Sequence, residues 1–238
     1  MSALLAFDTA TDRTFIALEV DGRLWAHDGE GGARSSATFL PGLHELLAQA
    51  GTSVQALDAI AFGRGPGAFT GLRVACAVAQ GLALAADKPV IPLDTLLAIA
   101  EDARAGHAVP ESGVMQRVWA VLDARMNEIY AAQYGHDGSG WQVLDAPALM
   151  SPEGLNQRWQ ASPPALVAGN ALSVFGDRLQ TGAARCLPQA APRATALLRL
   201  ARPVWEAGGG VDPARALPLY VRDKVADTTA ERAARSAA

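Results

Sequence analysis

The chain has 238 residues, of which 50% are hydrophobic and 18% charged, and its formal net charge is −4. A chain of this size can bury a substantial core, either in one large domain or in two lobes. Because the net charge is slightly negative, the sequence disfavours a protein that binds RNA directly through the phosphate backbone.

The amino terminus predicts a small antiparallel sheet. Residues 4–7 form a short apolar run, and residues 14–20 and 23–28 flank the turn Asp21-Gly22. An Asp-Gly pair between two such runs is typical of a β-hairpin. No basic residue precedes the first apolar run, so we expect neither a signal peptide nor a membrane span, and therefore a cytoplasmic protein.

Helices and strands alternate in the next segment. In residues 36–50 apolar side chains recur every three or four positions, which predicts an amphipathic helix. Residues 57–62 indicate a buried strand, and after a glycine-rich loop residues 70–86 predict a helix of mostly small residues. A strand at 90–93 and a helix at 95–105 complete an α/β unit.

A second unit follows a polar, glycine-containing connection at residues 106–116. Residues 118–123 and 128–134 predict another hairpin, and Ser151-Pro152 is a typical helix start. The order of elements predicts an α/β fold with one unit at residues 1–105 and a second at 106–238, without a repeat that the sequence itself establishes. The remaining predicted elements are a strand at 166–168 and a helix at 195–200.

The loop Gly63-Arg64-Gly65-Pro66-Gly67 lies between a predicted strand and a predicted helix. Backbone N–H groups in such a loop can hold an anion at a helix N-terminus. No Gly-Lys-Ser/Thr follows, and Pro66 interrupts the dinucleotide spacing, so neither common nucleotide motif is present. The spacing favours a structural turn, and the alternative is a phosphate cradle with Gly65 and Gly67 as its contacts.

Three further residues could belong to a residual nucleotide site. Asp8 and Thr9 end the first strand, where a carboxylate could hold a metal-bound phosphate, and Gly169 precedes a predicted helix. Turn formation is the commoner role of such residues. The loop at residues 122–128, which would supply the second half of the cradle, contains no glycine. We therefore expect no intrinsic cofactor and at most weak ATP binding.

The helix at residues 70–86 carries two stripes of small residues. Residues four positions apart lie on one helix face, and small side chains let another element approach closely. One stripe is expected to pack on the protein's own sheet, which leaves the second for a partner helix. The first stripe is Gly71, Ala75 and Ala79, and the second is Ala77, Gly81 and Ala85.

Metal and nucleophile chemistry are both disfavoured. A helical zinc pair needs ligands four residues apart, and His44 has Leu40 and Ala48 at those positions. Cys76 lies among alanine and valine and far from Cys186, which indicates a buried, reduced thiol and a reducing compartment. No Gly-x-Ser-x-Gly motif is present. We therefore expect neither a bound metal nor hydrolase activity.

One long motif and five shorter segments together resemble the TsaB family. The long motif ends in Phe62-Gly63-Arg64-Gly65-Pro66-Gly67-Ala68-Phe69-Thr70-Gly71-Leu72-Arg73 and is the most specific part. The resemblance is strong to about residue 97 and patchy afterwards. The segments that carry it are residues 6–11, 46–51, 57–73, 79–83, 123–130 and 218–222.

The resemblance implies an actin-like ATPase fold, which is ribonuclease H-like, with two lobes and a carboxyl-terminal segment that could return to the first lobe. It implies a pseudoenzyme subunit that supports a TsaD-like transferase. That transferase attaches threonylcarbamoyl to adenosine at position thirty-seven of tRNAs that read codons beginning with A. In such a system ATP and metal are used by the partner subunits, including a TsaE-like ATPase, and this chain would meet tRNA only indirectly.

The family resemblance also implies an interface on the first lobe and no contact with a membrane. The same surface would form a homodimer when the partner is absent. Many family members have Arg-x-His-Ser/Thr where this chain has Ala33-Arg34-Ser35-Ser36, so no role is assigned to that histidine. The implied interface residues are Leu43, Leu47, Phe69, Thr70, Gly71, Leu72, Arg73, Ala75, Ala77, Ala79 and Gly81.

Two other functions were weighed against the subunit. An autonomous metallopeptidase of the glycoprotease type would need a metal site that includes His44. A small-molecule kinase of the actin fold would need tight ATP binding between the lobes. The missing histidine pair argues against the first function, and the loop without glycine at residues 122–128 argues against the second.

Overall fold

The structure is a computed structural model that describes residues 2–32, 35–106 and 115–222. The predicted connection at residues 106–116 lies almost entirely outside these ranges, as do His107 and the pair Ala33-Arg34. The elements that follow are numbered in chain order.

The first lobe is built on a five-stranded mixed sheet in the order β3-β2-β1-β4-β5. β1 pairs antiparallel with β2 and β2 with β3, whereas β4 runs parallel to β1 and β5 runs parallel to β4. The strands are β1 Ala3–Asp8, β2 Arg13–Val20, β3 Arg23–Glu30, β4 Ala59–Gly65 and β5 Val90–Asp94.

Helices cover both faces of this first sheet. α1 (Ser35–Ala50) and α2 (Phe69–Ala86) pack on one face and share a core with Phe7 and Ile16. α6 (Ala194–Glu206) packs on the other face against Leu4 and other buried residues of β1, β2 and β4. The apolar stripes of these helices meet a sheet that is buried on both faces, which explains why β1 and β4 have almost no polar side chains.

The second lobe repeats the strand order of the first. Its sheet runs β10-β9-β6-β7-β8, with β6 central, β7 and β8 antiparallel in succession, and β9 and β10 parallel to β6. α4 and α5 cover its outer face, and α3 (Thr95–Ala105) covers its inner face. The elements are β6 Gln116–Asp123, β7 Ile129–His136, β8 Trp141–Met150, α4 Pro152–Ala161, β9 Leu166–Ala168, α5 Ala171–Phe175 and β10 Arg185–Leu187.

The two matching sheets and their helical layers confirm the predicted α/β, two-lobed, actin-like (ribonuclease H-like) fold. The structure also adds elements that sequence pattern did not predict. β8 was missed because it is a half-exposed edge strand that contains Pro147, and β10 has only 3 residues. α6 continues well beyond the predicted residues 195–200 and includes Pro203.

The lobes are joined by a buried carboxylate. Glu101 on α3 accepts hydrogen bonds from Arg104 at 2.8 Å, from Arg199 of α6 at 2.7 Å and from the Trp141 indole of β8 at 3.0 Å. Burial alone would raise the pKa of Glu101, but these donors hold it below its ordinary value. The Glu101 carboxylate therefore connects α3 and α6 to β8, the edge strand of the second sheet.

Candidate functional site

The loop between β4 and α2 sets the direction of α2, and its glycines permit close backbone packing. Gly65 has φ +112°, and a Cβ at Gly67 would lie 2.5 Å from the Ala10 carbonyl oxygen. The Ala68 N–H donates to that same oxygen at 2.7 Å. The positive φ therefore accounts for Gly65 and the contact with the turn after β1 for Gly67, and the geometry supports a structural turn over a phosphate cradle.

Asp8 and Thr9 are fully buried inside the first lobe. The Asp8 carboxylate accepts hydrogen bonds from the Ala10 N–H at 2.7 Å and the Thr95 hydroxyl at 2.8 Å, and the Thr9 hydroxyl donates to the Gly71 carbonyl at 2.7 Å. Burial raises the pKa of Asp8 from 3.8 to about 6, although both hydrogen bonds act to lower it. These internal contacts favour a structural role for both side chains, and a nucleotide contact at Asp8 or Thr9 stays a prediction.

Gly169 is also explained by packing. It has φ +123°, and a Cβ there would lie 2.0 Å from the Val121 carbonyl oxygen of β6. The neighbouring Asn170 accepts a hydrogen bond from the Asp123 N–H at 2.9 Å, which ties the loop after β9 to the end of β6. The structure therefore supports a packed turn at Gly169 instead of an adenosine contact.

A cleft of about 130 Å³ opens between the lobes, beside the loops that follow β1 and β6. The charged side chains that line it are Asp12, Asp123 and Arg125. Two carboxylates and one guanidinium provide little positive charge for a bare triphosphate. The expectation that ATP binds weakly at most stays a prediction.

The inner face of α2 belongs to the core of the first lobe. A Cβ at Gly71 would lie 1.9 Å from the Thr9 carbonyl oxygen, so the helix touches the backbone directly after the first strand. The stripe that begins at Gly71 is therefore the one that packs on the chain's own sheet, and α1 buries its leucines against the same core. This packing corrects the interface prediction for six residues, which are Leu43, Leu47, Gly71, Leu72, Ala75 and Ala79.

The opposite face of α2 is exposed and mostly apolar. We call it the outer α2 face, and a Cβ at Gly81 on it would have no atom within 4 Å. Leu84 is 79% exposed. Such an exposed apolar surface on one helix is typical of a protein contact. The outer α2 face consists of Phe69, Thr70, Arg73, Ala77, Gly81 and Leu84.

By length and composition, α2 is also the helix among the described residues that could cross a membrane. Its mean hydropathy is 1.5, and 33% of it is buried. Core helices of water-soluble proteins can meet the same criteria. Here α2 connects β4 and β5 of one sheet and packs its inner face on that sheet, so the fold accounts for the apolar side chains of that face without a lipid environment.

An aromatic cluster lies at the start of the outer α2 face. The Arg73 guanidinium carbon is 3.9 Å from the centroid of the Phe69 ring, and the Phe69 and Tyr220 rings are 5.5 Å apart. Arg73 also donates a hydrogen bond to the Tyr220 hydroxyl at 3.3 Å. Sequence reasoning assigned no role to Tyr220, because 147 residues separate it from Arg73 and no local pattern connects the two.

The side chains considered for metal or nucleophile chemistry are not gathered into a site. His44 is exposed on α1, and within the described ranges no three His, Cys, Asp or Glu residues are grouped to hold a metal ion. The Cys76 thiol is buried and donates to the Ala216 carbonyl at 2.8 Å. Burial raises the pKa of the Cys76 thiol, which keeps it protonated and unreactive.

Known proteins resemble this chain over almost its entire length. The family model for TsaD, tRNA N6-adenosine threonylcarbamoyltransferase, matches residues 31–226. The tRNA threonylcarbamoyladenosine biosynthesis protein TsaB of Escherichia coli (strain K12) is 34% identical over 227 residues, which span 94% of this chain and 96% of that protein. Its counterpart from Haemophilus influenzae is 34% identical over 233 residues, which span 93% and 94%. The solved structure of YeaZ from Pseudomonas aeruginosa has a TM-score of 0.81 and 37% identity, and covers 92% of this chain and 100% of its own.

Proposed function

Because this chain belongs to the TsaB family of tRNA threonylcarbamoyladenosine biosynthesis proteins, we propose that it is a non-catalytic subunit that binds a TsaD-like transferase. Its role in this tRNA modification follows from family membership. The proposal adds that it contributes a binding surface while the partner carries out the transfer. We further propose that it works in the cytoplasm and meets a TsaE-like ATPase and tRNA only through the assembled complex.

The outer α2 face is the observation that carries this proposal. An exposed helix that offers Ala77 and Gly81 four residues apart permits a partner helix to approach closely. Phe69, Arg73 and Leu84 flank these small residues with larger side chains that a partner could bury. A flat apolar centre bordered by aromatic and arginine side chains is typical of protein interfaces.

Several observations support a subunit without chemistry of its own. The Asp8 carboxylate is sealed in the first lobe, and the interlobe cleft presents two carboxylates to any phosphate. The Cys76 thiol is buried and protonated. We therefore propose that the ATP and metal used in the pathway are bound by the partner subunits. No observation on the described residues favours the metallopeptidase or the kinase.

The same exposed face leads us to propose self-association when the transferase is absent. Two copies of α2 could pair through Ala77 and Gly81, which would cover surface that is otherwise in contact with water. The homodimer and the complex would then compete for one surface. Addition of the transferase to the isolated protein should therefore convert homodimer into mixed complex, as measured by light scattering.

Replacement of Gly81 by arginine tests the proposed interface. The added side chain has free space in the isolated chain, but a partner would have to bury its charge. We expect Gly81→Arg to weaken binding of the TsaD-like protein by about 100-fold in calorimetry. Val174→Arg is the matched control, because Val174 is 55% exposed on the short helix α5 of the second lobe.

The control variant should bind like the original chain, and both variants should keep the original thermal unfolding midpoint. Normal transferase binding by Gly81→Arg would exclude the outer α2 face as the interface. The proposed lack of catalysis has its own test, in which the isolated chain is incubated with tRNA, threonine, bicarbonate and ATP. We expect modified adenosine, detected by mass spectrometry, only after the partner proteins are added.

A further inference from the structure

A groove of about 280 Å³ lies between the lobes, at the amino-terminal end of α2 and next to the outer α2 face. Its walls come from the start of α2, from the loop between β6 and β7, and from the extended segment that follows Pro218. We call it the interlobe groove. Its main lining residues are Phe69, Met126, Tyr130, Leu219, Tyr220 and Arg222.

Large apolar side chains are exposed at this groove. Met126 is 64% exposed, Tyr220 is 47% exposed and Phe69 is 37% exposed. The charged residues of the lining are Arg125 and Arg222, and no acidic residue lines it. The groove is therefore an apolar depression with a positive border on a chain whose net charge is −4.

Contacts within the chain hold the groove open in a defined shape. The Leu219 N–H donates to the Arg64 carbonyl at 2.7 Å, which fixes the carboxyl-terminal segment on the first lobe. Arg222 donates to the Ala124 carbonyl at 2.9 Å and pairs with Glu128 at 2.7 Å, which fixes the same segment on the second lobe. A binding site formed before the partner arrives loses little entropy on binding.

The loop that forms one wall has an unusual backbone. Arg125, Met126 and Asn127 have φ of +62°, +53° and +61°, in the left-handed region that non-glycine residues rarely adopt. Three such residues in succession are unfavourable and are typically retained where a loop has a function. This conformation presents the Met126 side chain at the groove.

We propose that the interlobe groove receives an apolar side chain of the transferase subunit, next to a carboxylate of that subunit which pairs with Arg125 or Arg222. The inference rests on the proposed function and extends it, because Phe69 belongs to both the outer α2 face and the groove. A partner bound to the outer α2 face would therefore also lie next to the groove. It then contacts both lobes and fixes their relative position.

The chemistry of the groove favours a protein segment over RNA. Its lining is mainly apolar, and its two arginines already pair with carboxylates, Arg125 with Asp123 at 3.0 Å and Arg222 with Glu128 at 2.7 Å. Such half-neutralised guanidinium groups suit a single carboxylate better than a series of phosphates. Continuity with the outer α2 face identifies the segment as part of the same partner.

Calorimetric titration of the full chain with the TsaD-like protein tests the groove. We expect Met126→Ala and Tyr220→Ala each to weaken binding by about tenfold, and Arg125→Glu to weaken it by a similar factor. Val143→Ala is the matched control, because Val143 is 57% exposed on the edge strand β8 and lies outside the groove. Partner binding should also slow amide exchange in residues 124–130, and should do so less in Tyr220→Ala.

The outcomes separate this inference from the proposed function. If Gly81→Arg abolishes binding while the groove variants stay within twofold of the original chain, the groove proposal is wrong and the α2 interface stands. If Gly81→Arg binds the TsaD-like protein normally, that result contradicts the proposed function itself. One further result would overturn the groove proposal, namely loss of tRNA binding by the groove variants with unchanged transferase binding.

Discussion

The two lobes share one strand order but differ in the helix that follows their fourth strand. In the first lobe that helix is α2, with 18 residues, and in the second lobe it is α5, with 5 residues. The helix that precedes the fourth strand is also longer in the first lobe, with 16 residues in α1 against 10 in α4. The same topology therefore supports a broad helical surface in one lobe and only a cap in the other.

The same strand order therefore does not give the two lobes the same exposed surface. Each lobe has a glycine where the segment after its fourth strand packs on backbone of, or next to, the central strand. In the first lobe this is Gly71 of α2, against Thr9 after β1. In the second lobe it is Gly169 after β9, against Val121 of β6. Both central strands end in an aspartate, but Asp8 is sealed in the core while Asp123 pairs with Arg125. The common features maintain packing, whereas the longer α2 adds the exposed outer α2 face to the first lobe.

The largest expected effect concerns the two packing glycines. A methyl group at Gly71 or Gly169 would overlap a backbone carbonyl oxygen, so each change to alanine should lower the free energy of unfolding by about 3 kcal/mol or more. Gly81→Ala on the open face should instead raise it by up to about 1 kcal/mol. Urea unfolding measures these changes, and amide exchange shows which lobe opens.

Gly71→Ala should speed exchange mainly in residues 3–20, and Gly169→Ala mainly in residues 116–136. A loss of stability in Gly81→Ala as large as in Gly71→Ala would remove the contrast between the two faces of α2. Equal loss of protection in both lobes for either variant would mean that the lobes unfold as one unit.

Removal of the carboxylate between the lobes should have the next largest effect. Glu101 is 2% exposed and is the common acceptor for Arg104, Arg199 and Trp141. Glu101→Ala should lower the free energy of unfolding by about 3 kcal/mol, because three donors lose their acceptor. Glu153→Ala, at the exposed pair with Arg178, is the control and should leave the free energy of unfolding nearly unchanged.

The smallest expected effect is a pH dependence that belongs to the first lobe. Because the pKa of Asp8 rises from 3.8 in the unfolded chain to about 6 in the folded one, the folded state binds the proton more tightly. The contribution of Asp8 is thus greatest below about pH 4 and is lost as the pH rises through 6.

Asp8→Asn, which stays uncharged, should remove this part of the pH dependence. At pH 8 the variant should be more stable by roughly 1 to 2 kcal/mol, since the amide retains the hydrogen bond from Ala10 while the contact with Thr95 must rearrange. Urea unfolding between pH 4 and pH 8 measures the slope. Parallel curves for the two proteins would contradict a buried, protonatable Asp8.

Strong periodicity made most of the fold predictable. The hairpin β2–β3 and the helices α1 and α2 were confirmed within a few residues, because turn chemistry and apolar spacing act locally. Ser151 was confirmed as the cap of α4, since its hydroxyl accepts from the Gly154 N–H at 3.1 Å. Asp94 precedes α3 without a side-chain cap bond, because its carboxylate accepts from Arg64 at 2.7 Å, a partner that only the sheet brings close.

The packing of α2 within the chain could be predicted only in part. Helical spacing identified two small-residue stripes on α2, but spacing has no direction and could not tell which stripe faces the sheet. The structure decides this through the contact of Gly71 with Thr9. Leu43 and Leu47 were misassigned for the same reason, because an apolar stripe looks alike whether its own core or a partner covers it.

The sequence by itself determined the order of most elements, the α/β class and the family, because these depend on local periodicity and on motifs whose residues are adjacent in the chain. Only the tertiary structure decided that the second half repeats the strand order of the first, that Asp8 is sealed, and that Tyr220 meets Phe69 and Arg73. These features depend on contacts between residues far apart in the chain, which no local pattern records.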